Sequence, residues 1–163
     1  MKLYLKQKVF SWPDRFSVTD DRGDPRFYIK GQPFSLTRKL RIYDECGREI
    51  ACVCQEFFRL LPRYSVQVYG KKEAEIIKES ASFQPSYRIK GPDWHIEGDI
   101  WEHNYKITAN GQPVASIQRA WMRWGDHYEL EIADPHHKLL ALAVVLTIDC
   151  DIDAGSRTKN QES

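Results

Sequence analysis

Several groups of residues in this chain carry side chains capable of chemistry. Cys52 and Cys54 form a Cys-x-Cys pair within EIACVCQEF, where strand alternation puts both thiols on one face. Zinc would need two further ligands at comparable spacing, and Cys46 and Cys150 supply no second pair, so the thiols read as reduced and space-filling. His95, Glu97, Asp99 and His103 are close in sequence, and alternation places the first three on one strand face. A metal-dependent enzyme would draw ligands from several elements with outer partners around them, and the pattern supplies none. Gly98 between Glu97 and Asp99 reads instead as a bulged corner with a carboxylate that accepts from nearby backbone N–H groups. His136 and His137 fall in a first helical turn and read as surface residues.

Asp149, Asp151 and Asp153 have the alternate spacing that opens a calcium loop. The positions that such a loop gives to glycine and a final glutamate are here Ala154 and Asn160, so the match fails. Three carboxylates at the C-terminal end of a helix also face the unfavourable pole of its dipole, which the sequence alone leaves unexplained. No GxSxG, catalytic cysteine context or Gly-rich phosphate loop is present, so no catalytic residue, metal or cofactor is assigned.

Binding chemistry is better represented. Arg38, Lys39 and Arg41 lie close together, and Lys71 and Lys72 occupy a turn tip. Cations converging in this way suit the phosphates of an anionic headgroup, and Arg59 and Arg63 join them if the fold brings them near. Trp121, Arg123 and Trp124, followed by Asp126 and Tyr128, offer an aromatic surface for a protein partner. The same rings suit the capping of a barrel end, with Asp126 accepting from turn amides.

The elements that must hold these residues are mostly strands. Turn signals recur every eight to twelve residues, as in an all-β barrel or sandwich. They include Asp21-Arg22-Gly23-Asp24, Glu45-Cys46-Gly47-Arg48, Gly70-Lys71-Lys72 and Asn110-Gly111. About twelve strands result, a number that closes into a barrel without exposed edges. Residues 47–69 also align with 111–133, pairing Gly47 with Gly111, Arg59 with Arg123 and Tyr64 with Tyr128. IKG at 29–31 recurs at 89–91, so two similar halves are expected.

Only DPHHKLLALAVVLTIDCDID, residues 134–153, reads as a helix. Asp134 is a good N-cap and Pro135 suits the first helical position. Between Leu139 and Ile148 only Thr147 is polar, so this helix has no polar face and must be buried all round. At about 15 Å the apolar stretch is half of what a bilayer core requires. The inside of a closed barrel is the expected home, with a plug helix over about 136–150, a single domain over 1–153 and a flexible polar tail over 154–163.

At 163 residues the chain suits one domain with a real core, and 24 basic against 23 acidic residues create no global field for nucleic acid. MKLYLKQKVFSWPD lacks an apolar leader region, and the cysteines have no secretory context, so a cytoplasmic location is expected, with peripheral membrane contact and no transmembrane span.

The run SLTRKLRIYDECGREIACVCQEFFRLLPRYSV, the motifs HIEGDIWEHNYKI and WMRWGDHYELEI, and the helix LLALAVVLTIDCDID together resemble the LURP-one-related family, from about Leu5 to Asp153. That family shares the tubby-like fold with tubby C-terminal domains and phospholipid scramblases. The resemblance implies a closed antiparallel barrel of about twelve strands around a central hydrophobic helix. Tubby domains bind phosphoinositide headgroups, scramblases act on phospholipids under calcium control, and plant members are tied to defence. It carries no catalytic residues across, and fold analogy is a thin warrant for activity. The expected function is non-enzymatic binding of anionic phospholipid headgroups through Arg38, Lys39, Arg41, Lys71 and Lys72. A protein-interaction scaffold in a stress response, using Trp121, Arg123 and Trp124, is the alternative, with a metal-dependent enzyme third.

Overall fold

The computed structural model describes residues 1–6, 15–32, 38–57, 59–80, 84–122 and 125–161. Twelve antiparallel strands close into one barrel in which every strand pairs with its sequence neighbours and β1 pairs with β12. The first six are β1 (Lys2–Lys6), β2 (Arg15–Thr19), β3 (Pro25–Gln32), β4 (Lys39–Tyr43), β5 (Glu49–Gln55) and β6 (Arg63–Val68). They continue as β7 (Lys71–Ser80), β8 (Ser86–Lys90), β9 (Trp94–Asp99), β10 (Asn104–Ala109), β11 (Gln112–Met122) and β12 (Gly125–Ile132). A short 3₁₀ turn, Pro135–His137, leads into α1 (Lys138–Gln161).

Alternation decides what faces inward. In β4 Leu40 and Ile42 are buried while Lys39, Arg41 and Tyr43 are not, and in β3 Phe27, Ile29 and Gly31 alternate with Arg26, Tyr28, Lys30 and Gln32. The inward set meets α1, whose residues 141–151 are buried without interruption. Thr147 fits this environment because its hydroxyl donates to the Ala143 carbonyl at 2.7 Å. Asp134 caps the start as expected, accepting from the His136 N–H at 2.9 Å. No described helix is long and apolar enough to cross a membrane.

Three expectations change in detail. The helix does not stop near residue 150: it continues to Gln161, so the segment expected to be a loose tail is helical almost throughout. Nothing in SRTKNQ breaks a helix. Gly98 does not mark a bulge, since β9 and β10 pair in unbroken register from Trp94↔Ala109 to Asp99↔Asn104. Glycine is needed there because φ is +119° and a Cβ would stand 2.6 Å from the Asn104 carbonyl oxygen. Of the two carboxylates it is Asp99 that accepts a backbone N–H, that of Glu102 at 3.0 Å. Finally, the aligned segments 47–69 and 111–133 are the hairpins β5–β6 and β11–β12, six strands apart as half-barrel symmetry requires. The IKG repeat obeys no such symmetry, since 29–31 lies in β3 and 89–91 runs from β8 into a turn.

Candidate functional site

The barrel has two unlike mouths. At the near mouth, where α1 enters, the turns following β2, β4, β6, β8 and β10 surround residues 133–139, and a cavity of about 430 Å³ is lined there by Arg26, Asp44, Tyr69 and Lys138. At the far mouth the C-terminal half of α1 meets polar groups from the wall. Asp151 is buried and accepts hydrogen bonds from the Tyr64 hydroxyl at 2.6 Å, the Tyr87 hydroxyl at 2.6 Å and Lys78 Nζ at 2.7 Å. Burial, followed by the Asp151 carboxylate, pushes both tyrosines well above the ordinary phenol range. Arg38 also acts on Tyr64, opposing that shift.

Asp149 meets thinner company. His103 Nε2 lies 3.2 Å from its Oδ1, but the approach leaves that oxygen without an aligned donor. The Tyr105 hydroxyl and His103 Nδ1 are likewise buried without hydrogen-bond partners, while the His103 ring stacks on Tyr128 at 4.0 Å between centroids. Burial raises the Asp149 carboxyl above its ordinary value against the pull of His103. The acidic pair is therefore interior packing, with one carboxylate fully engaged and one underserved. Among the described residues no His, Cys, Asp and Glu set is grouped to hold a metal ion. His95, Glu97 and Asp99 face outward on β9, whereas His103 turns toward the interior.

A different arrangement occupies the outside of β2, β3 and β4. Arg15 pairs in register with Lys30, and Lys30 with Arg41, so three outward cations cross three adjacent strands in one row. At about 4.8 Å per strand the row spans about 10 Å. Lys39, on the same face of β4, stands two residues from Arg41 and opposite Gln32. Among the described residues Arg15, Lys30 and Lys39 make no ion pair. Arg41 approaches Glu49 only to 3.7 Å, and its Nε is buried with no hydrogen-bond partner. Hydrogen bonding to Tyr43 raises the Arg41 guanidinium above its ordinary value, so it is a fixed charge. Beside the row, Arg15, Tyr28, Lys30 and Tyr43 line a shallow depression of about 390 Å³.

This face gathers two of the five cations singled out from the sequence. Lys39 and Arg41 belong to it, but Arg38 shares the parity of Leu40 and Ile42 and acts on the inward Tyr64. Lys72 falls on the same cross-strand row as Arg41, three strands further round with Cys52 and Gln67 between them. Lys72 is bonded to Glu75, and Lys71 stands 3.5 Å from Glu73, at a hairpin of the near mouth. Arg59 and Arg63 approach Glu56 and Glu75 at 3.4 and 3.9 Å. The five cations therefore do not form one patch. Trp121 lies in β11 with its side chain outside the described residues, as is that of Asp126, and Arg123 and Trp124 lie wholly outside them. Cys52 and Cys54 bring their sulfurs to 3.5 Å, and burial first, then the neighbouring thiol, pushes Cys52 up to about 12. Arg15 and Lys30 escaped the sequence reading because they stand alone in sequence; only strand register brings them beside Arg41.

A closed twelve-strand barrel threaded by its own C-terminal helix defines a plugged barrel of the tubby-like type. The LURP-one-related family pattern matches residues 1–149, and the chain belongs to that family. It is 32% identical over 149 residues to the Bacillus subtilis (strain 168) protein YxjI, described as uncharacterized, covering 91% of this chain and 92% of that one. Its fold is similar to the X-ray structure of a protein from Arabidopsis thaliana, with TM-score 0.60 and 16% identity over 90% of this chain and 88% of that one.

Proposed function

We propose that this protein is a non-enzymatic binding module for anionic phospholipid headgroups, and that its contact surface is the outer face formed by Arg15, Lys30, Lys39 and Arg41. The observation that carries this reading is the row Arg15–Lys30–Arg41, in which, among the described residues, ion pairing is limited to Glu49 at 3.7 Å from Arg41. Like charges directly opposite one another across strands are destabilising, so such a row costs the folded state unless an anion occupies it. Several phosphate oxygens spread over about 10 Å match a row of that length. The neighbouring hydroxyls of Tyr28 and Tyr43 add hydrogen-bonding groups beside the charges. Because α1 fills the barrel interior, the reading assigns function to the outer wall rather than to an enclosed ligand cavity.

Co-sedimentation with phosphatidylcholine vesicles of graded phosphatidylserine content, at low and physiological salt, tests it. Each cation near an anionic surface contributes about 1 kcal/mol, so Arg15→Gln, Lys30→Gln and Arg41→Gln together should weaken binding about a hundredfold. Binding of the unaltered protein should fall steeply with salt. Lys71→Gln with Lys72→Gln should change it far less. Equal binding by the triple variant, or no binding at low salt, overturns the proposal.

A further inference from the structure

The connection from β5 to β6 breaks the usual rule for surface loops. Its sequence, Glu56-Phe57-Phe58-Arg59-Leu60-Leu61-Pro62, is mostly apolar where the near-mouth turns read Asp-Arg-Gly-Asp and Glu-Cys-Gly-Arg. Leu60 is fully exposed, with relative accessibility 106%, and Phe57 is 49% exposed. The loop is nonetheless anchored at its base. The Gln55 N–H donates to the Arg38 carbonyl at 2.9 Å, the Glu56 N–H to the Arg63 carbonyl at 2.8 Å, and the Lys78 N–H to the Pro62 carbonyl at 3.1 Å. Arg59 reaches back to Glu56 at 3.4 Å. These bonds hold a short apolar tip out into solvent. A single exposed leucine is ordinary, but an anchored loop presenting two large apolar side chains is an arrangement that a partner must justify.

The tip sits where the cationic face ends. β5 leaves the barrel at Gln55, next to Cys54, which pairs with Lys39. Arg15 begins β2, Lys39 begins β4, and Lys30 stands two residues before the end of β3, all at this far mouth. Trp101, in the turn between β9 and β10, adds a further 42% exposed ring at the same mouth. Apolar groups at one end with cations just behind them is the layout that suits a bilayer interface, where side chains enter the acyl boundary and cations meet the phosphates.

We infer that Leu60 and Phe57, in the connection from β5 to β6, enter the interfacial layer of a phospholipid bilayer while Arg15, Lys30, Lys39 and Arg41 engage the headgroups around them. This rests on the headgroup reading above and fixes the source of the phosphates as a membrane rather than a soluble phosphate. It also sets an orientation, with the far mouth toward the bilayer and the Gly-rich turns of the near mouth toward water.

The experiment compares Leu60→Asp and Arg15→Gln/Lys30→Gln/Arg41→Gln against the unaltered protein on vesicles of phosphatidylcholine with 30 mol% phosphatidylserine (a proportion of roughly the order at which polybasic segments bind). Leu60 is in solvent, so Leu60→Asp should melt like the parent, which thermal denaturation checks. Vesicle partitioning should drop about tenfold or more on losing one buried leucine, with the salt slope unchanged. Inositol hexakisphosphate, a soluble polyphosphate, should bind Leu60→Asp and the parent alike. A Leu60→Trp protein should be quenched by phosphatidylcholine brominated on its acyl chains, beyond any quenching of the parent's own tryptophans. Equal vesicle binding by Leu60→Asp, with binding lost in the triple variant, overturns insertion and leaves the headgroup reading standing. Absence of vesicle binding by the parent overturns both. A parent dimer that Leu60→Asp converts to a monomer, or a Leu60→Trp signal that brominated lipid leaves unchanged, overturns insertion in favour of a protein contact.

Discussion

Asp149 and Asp151 stand two residues apart on α1 and enter the same interior, yet their carboxylates meet different surroundings. Asp151 accepts from two tyrosine hydroxyls and the Lys78 ammonium, whose side chain is only 12% exposed. Asp151→Asn would leave that ammonium buried and unpaired, a change that costs about 3–5 kcal/mol. At about 2–4 °C per kcal/mol for a chain of this size, the melting temperature should fall by about 6–20 °C. Asp149 is the reverse case, because burial raises its carboxyl and only His103 opposes the shift. A carboxyl raised in the folded state contributes stability that is full below its ordinary value of 3.8 and is lost as pH rises through the folded value. Asp149→Asn should therefore melt at or above the parent temperature at pH 8, with the gap closing as pH falls toward 3.8. Thermal melts from pH 4 to 8 check both substitutions. If the two asparagine variants lose stability equally, the contrast between engaged and underserved carboxylates is wrong.

At the scale of elements, the plug helix was legible because its signal is local: an N-cap, a proline at the first position and ten residues without a polar face. Hairpin turns were legible for the same reason, and the alignment of β5–β6 with β11–β12 even exposed the half-barrel symmetry. Tyr64 and Tyr128, equivalent in that alignment, stand beside the two interior aspartates, one bonded to Asp151 and the other stacked on His103. The basic face was legible only in part. Arg38, Lys39 and Arg41 show their charge in the sequence, but period-two alternation sends Arg38 to the other side of β4, and Arg15 and Lys30 join through pairing that no short window reveals. The helix is also the element on which the rest depends. Burying each of Leu139, Leu142, Val144, Val145, Leu146 and Ile148 is worth about 1.5–3 kcal/mol, and their sum matches the whole stability of a typical domain. A chain ending at Ala133 should bind 8-anilinonaphthalene-sulfonate and lose its near-ultraviolet dichroism. A cooperative melt in that truncated chain would show that the strands close without their plug.

The whole barrel is not equally well closed. β1 pairs with β12 through five successive residue pairs, from Lys2↔Glu131 to Lys6↔His127, whereas among the described residues it meets β2 only at Tyr4↔Thr19. Among the described residues β8 and β9 share only Arg88↔His95 and Ile89↔Trp94. These thin seams lie nearly opposite one another around the barrel, and each joins strands whose remaining partners are fully paired. The β1–β12 ladder is reinforced by Glu129, which is buried and accepts from Lys2 Nζ at 2.9 Å, the Tyr4 hydroxyl at 2.9 Å and Gln118 at 3.2 Å. Burial alone would raise the Glu129 carboxyl, but these hydrogen bonds outweigh it and hold it below its ordinary 4.5. A carboxyl lowered in the folded state contributes stability above its ordinary value and loses it as pH falls through the folded one. Acid should therefore loosen the β1–β12 ladder and leave β1 held by little else. Native-state hydrogen exchange reads this directly. At neutral pH, β8 and β9 amides facing the thin seam should exchange before those of β11 and β12, and on acidification below 4.5 the protection of β1 should collapse first. Glu129→Gln should bring that early loss of β1 protection to neutral pH and flatten its acid dependence. Uniform exchange across all twelve strands at both pH values would mean that the barrel opens as one unit, with seam and ladder alike.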